Sequence, residues 1–178
     1  CLITDTHPEL AEIILKSLRA GVKMIQYRCK EGTDLERISQ GKELVSMCKD
    51  FQALFIVNDR IDIALAIDAD GVHLGQEDLP TDIARKLIGD EMLLGRSTHS
   101  ISQIKIAQDE GCDYLGVGPI NRTSTKPNLK PLGISLINEA LLSSSLPWFA
   151  IGGITTDNLD ELLSLGVKRV AVANALIN

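Results

Sequence analysis

Two carboxylates stand where the chain would otherwise be core. Asp59 stands near the end of LFIVNDR (54–60) and Asp78 closes GVHLGQED (71–78), each after a run of apolar residues. Cations fall in similar places: Arg28 and Lys30 in QYRCK (26–30), Lys126 in TSTK (123–126). Isolated buried charges are costly, so such groups at the end of a core strand are at a surface or in a site. Mg2+ commonly takes one or two protein carboxylates and completes its shell with phosphate and water, so this pair suits a magnesium-bound polyanion. Arg and Lys neutralise phosphate. The paired glycines of AIGGI (150–154) add backbone N–H groups of the kind that cradle a second phosphate. The residue types therefore point to two anionic groups, one held with metal and one held by backbone.

The elements that must position these residues are legible from the same string. GVKMIQYR (from Gly21), GCDYLGVG (from Gly111) and GVKRVAVA (from Gly166) share one plan, helix then glycine then strand, and GVHLGQ from Gly71 is a variant. Glycine is favoured just past a helix C-terminus, where the backbone turns left-handed. Strands are expected to start near Leu2, Met24, Leu54, Val72, Leu93, Tyr114, Trp148 and Arg169. Helical patterns separate them: Leu35, Ile38, Leu44, Val45 and Cys48 form one stripe, opened by a Thr33–Glu36 capping box. Ser100 with Gln103 opens another helix, and TTDNLDELLSLG (155–166) reads as cap, leucine face and terminal glycine. Eight strand–helix units predict a closed (β/α)8 barrel in preference to an open doubly wound sheet. One barrel domain is expected over residues 1–178, and the short length and the start at Cys1 read as clipping at both termini. The long connection Pro119 to Gly133 reads as a lid or binding loop.

A (β/α)8 barrel places its active site at the C-terminal ends of the strands, and the polar residues fall there in succession. Each has a plainer reading. Asp59 could cap the next helix, Asp78 could begin one before Pro80, the cations could be solvated, and Gly152–Gly153 could simply turn the chain. His73 reads as a hydrogen-bonded residue near the core, and no His/Cys spacing indicates zinc. The conjunction of all these groups at successive strand ends favours a site.

Bulk properties narrow the class. The 178 residues carry 44% hydrophobic and 24% charged residues, as an ordinary globular domain does. A net charge of −6 argues against a nucleic-acid surface. The four cysteines lack a C-x-x-C pairing and fit a reduced, cytoplasmic protein. No run approaches the length of a membrane span, and no signal peptide is visible.

In order and spacing, QYRCK, VNDR, GVHLGQED, STHS, TSTK and AIGGI resemble the motifs of the thiamine phosphate synthase family, over essentially the whole chain. The resemblance implies a transferase that joins 4-amino-2-methyl-5-pyrimidinylmethyl diphosphate to the thiazole monophosphate, releasing diphosphate through a pyrimidine carbocation. Carried across, Gln26, Arg28, Lys30, Asn58, Ser97 and Lys126 would hold the pyrimidine diphosphate, with Tyr27 and Cys29 in the same binding stretch. Arg28, Lys30, Ser97 and Lys126 would act on the leaving group, and Asp59 and Asp78 would bind Mg2+. Thr123, Ser124, Thr125, Gly153, Ala173 and Asn174 would hold the thiazole phosphate. Two positions depart from the pattern: Asn174 stands where Ser is usual, and Arg122 where proline or an apolar residue is usual. The implied partners are small phosphorylated substrates, with no nucleic acid or membrane, and a homo-oligomer is compatible. The rival readings are a thiazole tautomerase of the same superfamily, a non-catalytic thiazole phosphate-binding protein, and a phosphosugar barrel enzyme.

Overall fold

A computed structural model describes residues 1–123 and 130–173. Strands and helices alternate: β1 Leu2–Ile3, α1 Leu10–Arg19, β2 Met24–Tyr27, α2 Asp34–Asp50, β3 Leu54–Asn58, α3 Ile61–Ala66, β4 Gly71–Leu74, α4 Thr81–Ile88, β5 Leu93–Thr98, α5 Ile101–Asp109, β6 Tyr114–Val117, α6 Gly133–Ser143, β7 Trp148–Ile151, α7 Thr156–Ser164 and β8 Val170–Ala171. Every strand pairs in parallel with the next, in chain order. The ring closes through a bridge between Leu2 and Val172, where Ile3 N–H donates to Val172 O at 2.7 Å and Val172 N–H to Cys1 O at 3.0 Å. The fold is a (β/α)8 barrel.

Strand alternation divides the side chains into two sets. Ile25 and Tyr27 of β2, Phe55 and Val57 of β3, Val72 and Leu74 of β4, and Leu94 of β5 pack outward with Leu44 and Cys48 of α2 and Ala84 and Ile88 of α4. Met24, Ile56 and Tyr114 form a separate cluster in the barrel interior. Gln26, Asn58, His73 and Ser97 share the phase of that inner set, so a period of two delivers polar groups to the barrel's mouth. Around β6 to β8 the core is built from two smaller clusters, one centred on Leu115 and Val117, the other on Ile137 and Ala150.

Local signals place the helices. Thr33 and Glu36 exchange bonds at the start of α2, Thr33 N–H to Glu36 Oε2 at 2.8 Å and Glu36 N–H to Thr33 Oγ1 at 3.3 Å. Ser100 Oγ accepts from Gln103 N–H at 3.3 Å at the start of α5. One expectation needs correction. Leu35 is 80% exposed and does not belong to the buried stripe of α2. At about 100° per residue it falls well off the face set by Gly41, Leu44, Val45 and Cys48.

Candidate active site

At the end of β2 the sequence motif QYRCK splits between two environments. Gln26 faces the interior and is buried. Tyr27 faces the helix layer, stacked on Phe55 with ring centroids 5.6 Å apart, and its hydroxyl donates to Gln40 Oε1 at 2.8 Å. Burial raises its phenol above the ordinary range. Its side chain therefore stays out of the polar group at the mouth, because the period of two that turns Gln26 inward turns Tyr27 outward. Arg28 N–H donates to Thr4 Oγ1 at 2.9 Å, which ties the end of β2 to β1. The Arg28 guanidinium is mostly covered and lies 3.5 Å from Asp5 Oδ1, a loose pair that an incoming phosphate can replace. Cys29 Sγ donates to Glu31 O at 3.1 Å. Lys30 is exposed, and its carbonyl accepts from Arg37 Nη2 at 3.2 Å.

The three polar residues that end LFIVNDR do three different things. Asn58 ends β3 on the inner face, opposite His73 of β4. Asp59 adopts φ 63°, a left-handed conformation that Asp tolerates better than most residues, and its N–H donates to His73 O at 2.9 Å. The N-cap position of α3 belongs to Arg60, which makes no side-chain cap bond, so Asp59 is not the helix cap. Arg60 grips Asp62 through Nε at 2.8 Å and Nη2 at 2.6 Å. Its Nη1 reaches Asp34 Oδ1 at 2.9 Å, the oxygen that Arg37 also binds at 2.7 Å. Arg60 and Arg37 hold the Asp34 carboxyl below its usual range, and Arg60 does the same to Asp62. The base of the motif thus fastens the β3–α3 turn to the start of α2.

Asp78 is also not a helix cap, since α4 begins at Thr81 with Pro80 in the cap position. Its Oδ2 accepts from Gly75 N–H at 2.6 Å, and its own N–H donates to Gly75 O at 3.3 Å, closing a tight turn after β4. Gln76 Nε2 donates to Ser97 O at 2.6 Å, joining that turn to β5. Asp59 and Asp78 therefore follow neighbouring parallel strands. Among the described residues no three His, Cys, Asp or Glu side chains cluster to form an all-protein metal cage. A pair of carboxylates on adjacent strand ends is nonetheless the donor chemistry that Mg2+ accepts when substrate phosphate and water supply the remaining ligands.

Ser97 lies on the inner face of β5, with its Oγ 2.9 Å from His73 Nε2. His73 Nδ1 lies 3.1 Å from the Tyr114 hydroxyl. His73 is a buried, hydrogen-bonded interior residue, as expected. The nearness of Tyr114 was not foreseen, because it depends on the register of three strands. His99, one residue past β5, receives its backbone position from Gln103 Oε1 at 2.6 Å and bonds through Nδ1 to Gly118 O.

The opposite arc is made of backbone. Ile120 N–H donates to Ile151 O at 2.8 Å and Asn121 N–H to Gly152 O at 3.0 Å, so the start of the 119–133 connection runs against the end of β7. Gly152 and Gly153 have φ of 102° and 60°. A Cβ on Gly153 would sit 2.3 Å from Arg122 O, and one on Gly152 would sit 2.6 Å from Pro119 Cβ. Glycine is required here on both counts. Asn158 Nδ2 donates to Gly153 O at 2.8 Å and fixes the peptide from the α7 side. Arg122 is exposed, Thr123 is half-buried beside this cradle, and Ala173 is half-buried just past β8. Ser124, Thr125 and Lys126, within 124–129, and Asn174, within 174–178, lie outside the described residues.

Comparison with known proteins agrees with this fold. A family model described as thiamine monophosphate synthase matches residues 1–176. Thiamine-phosphate synthases from two strains of Prochlorococcus marinus are 55% and 56% identical, over 99% and 100% of this chain. The chain spans about half the length of these curated relatives, 51% and 52%. Among solved structures, a thiamine phosphate pyrophosphorylase from Pyrococcus furiosus superposes with a TM-score of 0.88 at 36% identity, over 98% of this chain and 85% of that one.

Proposed function

Since the chain belongs to the thiamine monophosphate synthase family, we propose that it forms thiamine phosphate by joining an aminopyrimidine methyl diphosphate to a thiazole monophosphate. The observation that carries this reading is the arc of polar groups that four neighbouring strands present at one end of the barrel. Gln26 and Arg28 come from β2, Asn58 and Asp59 from β3, Asp78 from β4 and Ser97 from β5. That set matches a diphosphate bearing metal, with an electron-rich ring below it.

The chemistry asks little of a base or nucleophile. The aminopyrimidine ring stabilises positive charge on its methylene carbon, so the C–O bond to diphosphate breaks with the electron pair leaving on oxygen. The thiazole nitrogen then donates its lone pair to that carbon. Catalysis consists mainly of stabilising negative charge as it develops on the leaving oxygens. Arg28, Lys30 and Lys126 supply positive charge there, and Asn58 and Ser97 supply neutral donors. Asp59 and Asp78 would hold Mg2+, which when bound neutralises the diphosphate and orients it. Gln26 faces the pyrimidine. The glycine pair, with Thr123 to Thr125, Ala173 and Asn174, receives the thiazole phosphate through backbone N–H and hydroxyl donors. Tyr27 supports the wall from behind and contacts no substrate. Asp5, which competes for Arg28, exchanges its loose pair for solvent when diphosphate enters.

The test is product formation from both substrates, assayed with and without Mg2+ in the full-length protein. Mg2+-dependent coupling is the expected result. Tautomerisation of a thiazole phosphate without coupling would overturn the reading, and so would binding with no turnover.

A further inference from the structure

The barrel interior holds a chain of polar side chains that the scheme above leaves largely unused. Gln26, His73 and Tyr114 are all nearly inaccessible to solvent. His73 bridges Ser97 on β5 and Tyr114 on β6, with Nε2 2.9 Å from Ser97 Oγ and Nδ1 3.1 Å from the Tyr114 hydroxyl. Strand register makes the bridge, since His73 lies opposite Gly95 and Gly95 lies opposite Tyr114. Missing side chains make the room. A Cβ on Gly95 would stand 2.2 Å from Tyr114 Cζ and 2.5 Å from His73 Nδ1, and one on Gly116 would stand 3.3 Å from His73 Cε1.

The donors in this chain can be ordered. Burial disfavours the phenolate, so Tyr114 keeps its proton. His73 Nδ1, 3.1 Å from the hydroxyl, is the acceptor placed for the Tyr114 O–H. A neutral imidazole that accepts at Nδ1 carries its proton on Nε2. Nε2–H then donates to Ser97 Oγ. The Ser97 proton cannot point back at a nitrogen that already bears one, so it is turned to another acceptor.

We infer that Tyr114 and His73 are positioning residues that fix the direction of the Ser97 hydroxyl so that its proton is offered to the anionic leaving group. The inference rests on the reading above for Ser97's place beside the diphosphate. In the opposite order the Ser97 proton would go to Nε2, leaving oxygen lone pairs to face phosphate oxygens. The order of donors therefore sets whether Ser97 attracts or repels the charge that develops.

Two measurements on the full-length protein test it. The 15N chemical shifts of the His73 imidazole should report a proton on Nε2; a proton on Nδ1 overturns the inference. In steady-state coupling assays, Ser97→Ala should lower kcat on the order of 10²–10³-fold, the usual loss for one charge-stabilising donor. Tyr114→Phe removes one oxygen and frees the tautomer; kcat should fall roughly tenfold, less than the loss of a whole donor, with the thiazole KM unchanged. In the Ser97→Ala background Tyr114→Phe should have no further effect, because it acts through that hydroxyl. Losses that multiply in the double variant, or an unimpaired Tyr114→Phe enzyme, would overturn the inference while leaving the proposed function standing. A Ser97→Ala enzyme with parental kinetics would instead remove Ser97 from the diphosphate site and end both claims for it. His73→Gln, which keeps an amide donor near the Nε2 position, should retain more activity than His73→Leu.

Discussion

The two sides of the barrel mouth would serve the same proposed task, holding a phosphate group, by different means. From β2 to β5 the proposed ligands are side chains: Arg28, Asn58, Asp59, Asp78 and Ser97. They stand on strands backed by one continuous outer core that runs from Leu2 to Leu94. From β6 to β8 the offer is mostly backbone, shaped by Gly152 and Gly153 against Asn121 and Arg122, and backed by two smaller clusters. On the proposed function, the difference follows from what each phosphate must do. A leaving diphosphate gains charge during the reaction and rewards strong, preplaced charges and metal. A spectator phosphate gains none, and neutral N–H groups suffice to hold it. Side-chain sites tolerate backbone change and fail on loss of charge; a backbone cradle tolerates side-chain change and fails on an added methyl.

The sharpest break of that contrast is Asp59→Asn. Asn keeps the left-handed backbone and is as good a helix cap as Asp, so it separates charge from structure. Mg2+-dependent turnover should fall on the order of 10²–10³-fold with thermal stability near the parent's, as expected for loss of one charge-organising group. Full activity would return Asp59 to a turn residue.

Gly153→Ala tests the other side. The new Cβ meets Arg122 O and the φ of 60° is unfavourable for alanine, so the cradle must open. The thiazole KM should rise roughly tenfold or more, about 1.4 kcal/mol of binding, while the pyrimidine diphosphate KM changes little. Equal effects on both substrates would mean that the two arcs are not independent.

Gly95→Ala probes the wall between them. Overpacking against Tyr114 and His73 should cost about 1–3 kcal/mol, measurable by denaturant unfolding. A neutral substitution would show that the rings can separate without loss.

The smallest effect is expected from acid. Asp34 and Asp62 have folded-state pKa values below the ordinary carboxylate range because Arg60, with Arg37 at Asp34, binds them. Groups depressed in this way contribute stability that is present above their unfolded pKa and lost as pH falls through the folded one. Unfolding midpoints should therefore decline below about pH 4, the ordinary carboxylate value, and slightly less steeply in Arg60→Ala. Both carboxyls are solvent-exposed, so the difference should be small and weaker in high salt.

Most of the architecture is legible in the chain. The helix–glycine–strand units, the Thr33–Glu36 and Ser100–Gln103 signals and the succession of polar residues after apolar runs all follow from local rules. QYRCK shows the boundary of that legibility: the motif names five neighbours, yet the pleat turns Tyr27 away from Gln26. NDR shows it again, because only spatial proximity to Asp34 explains Arg60. Leu35 looked like stripe and is exposed, since hydrophobicity alone does not count angle around a helix.

The sequence by itself determined which strands exist, their order, and which residue types reach the C-terminal ends, because a period of two and a period of 3.6 are local properties. The register at which β1 meets β8, the meeting of His73 with Ser97 and Tyr114, and the contact of Gly153 with Arg122 were decided by the tertiary structure. Each depends on the register between segments far apart in the chain. Register is set where whole strands find their common packing, and no single stretch of sequence contains it.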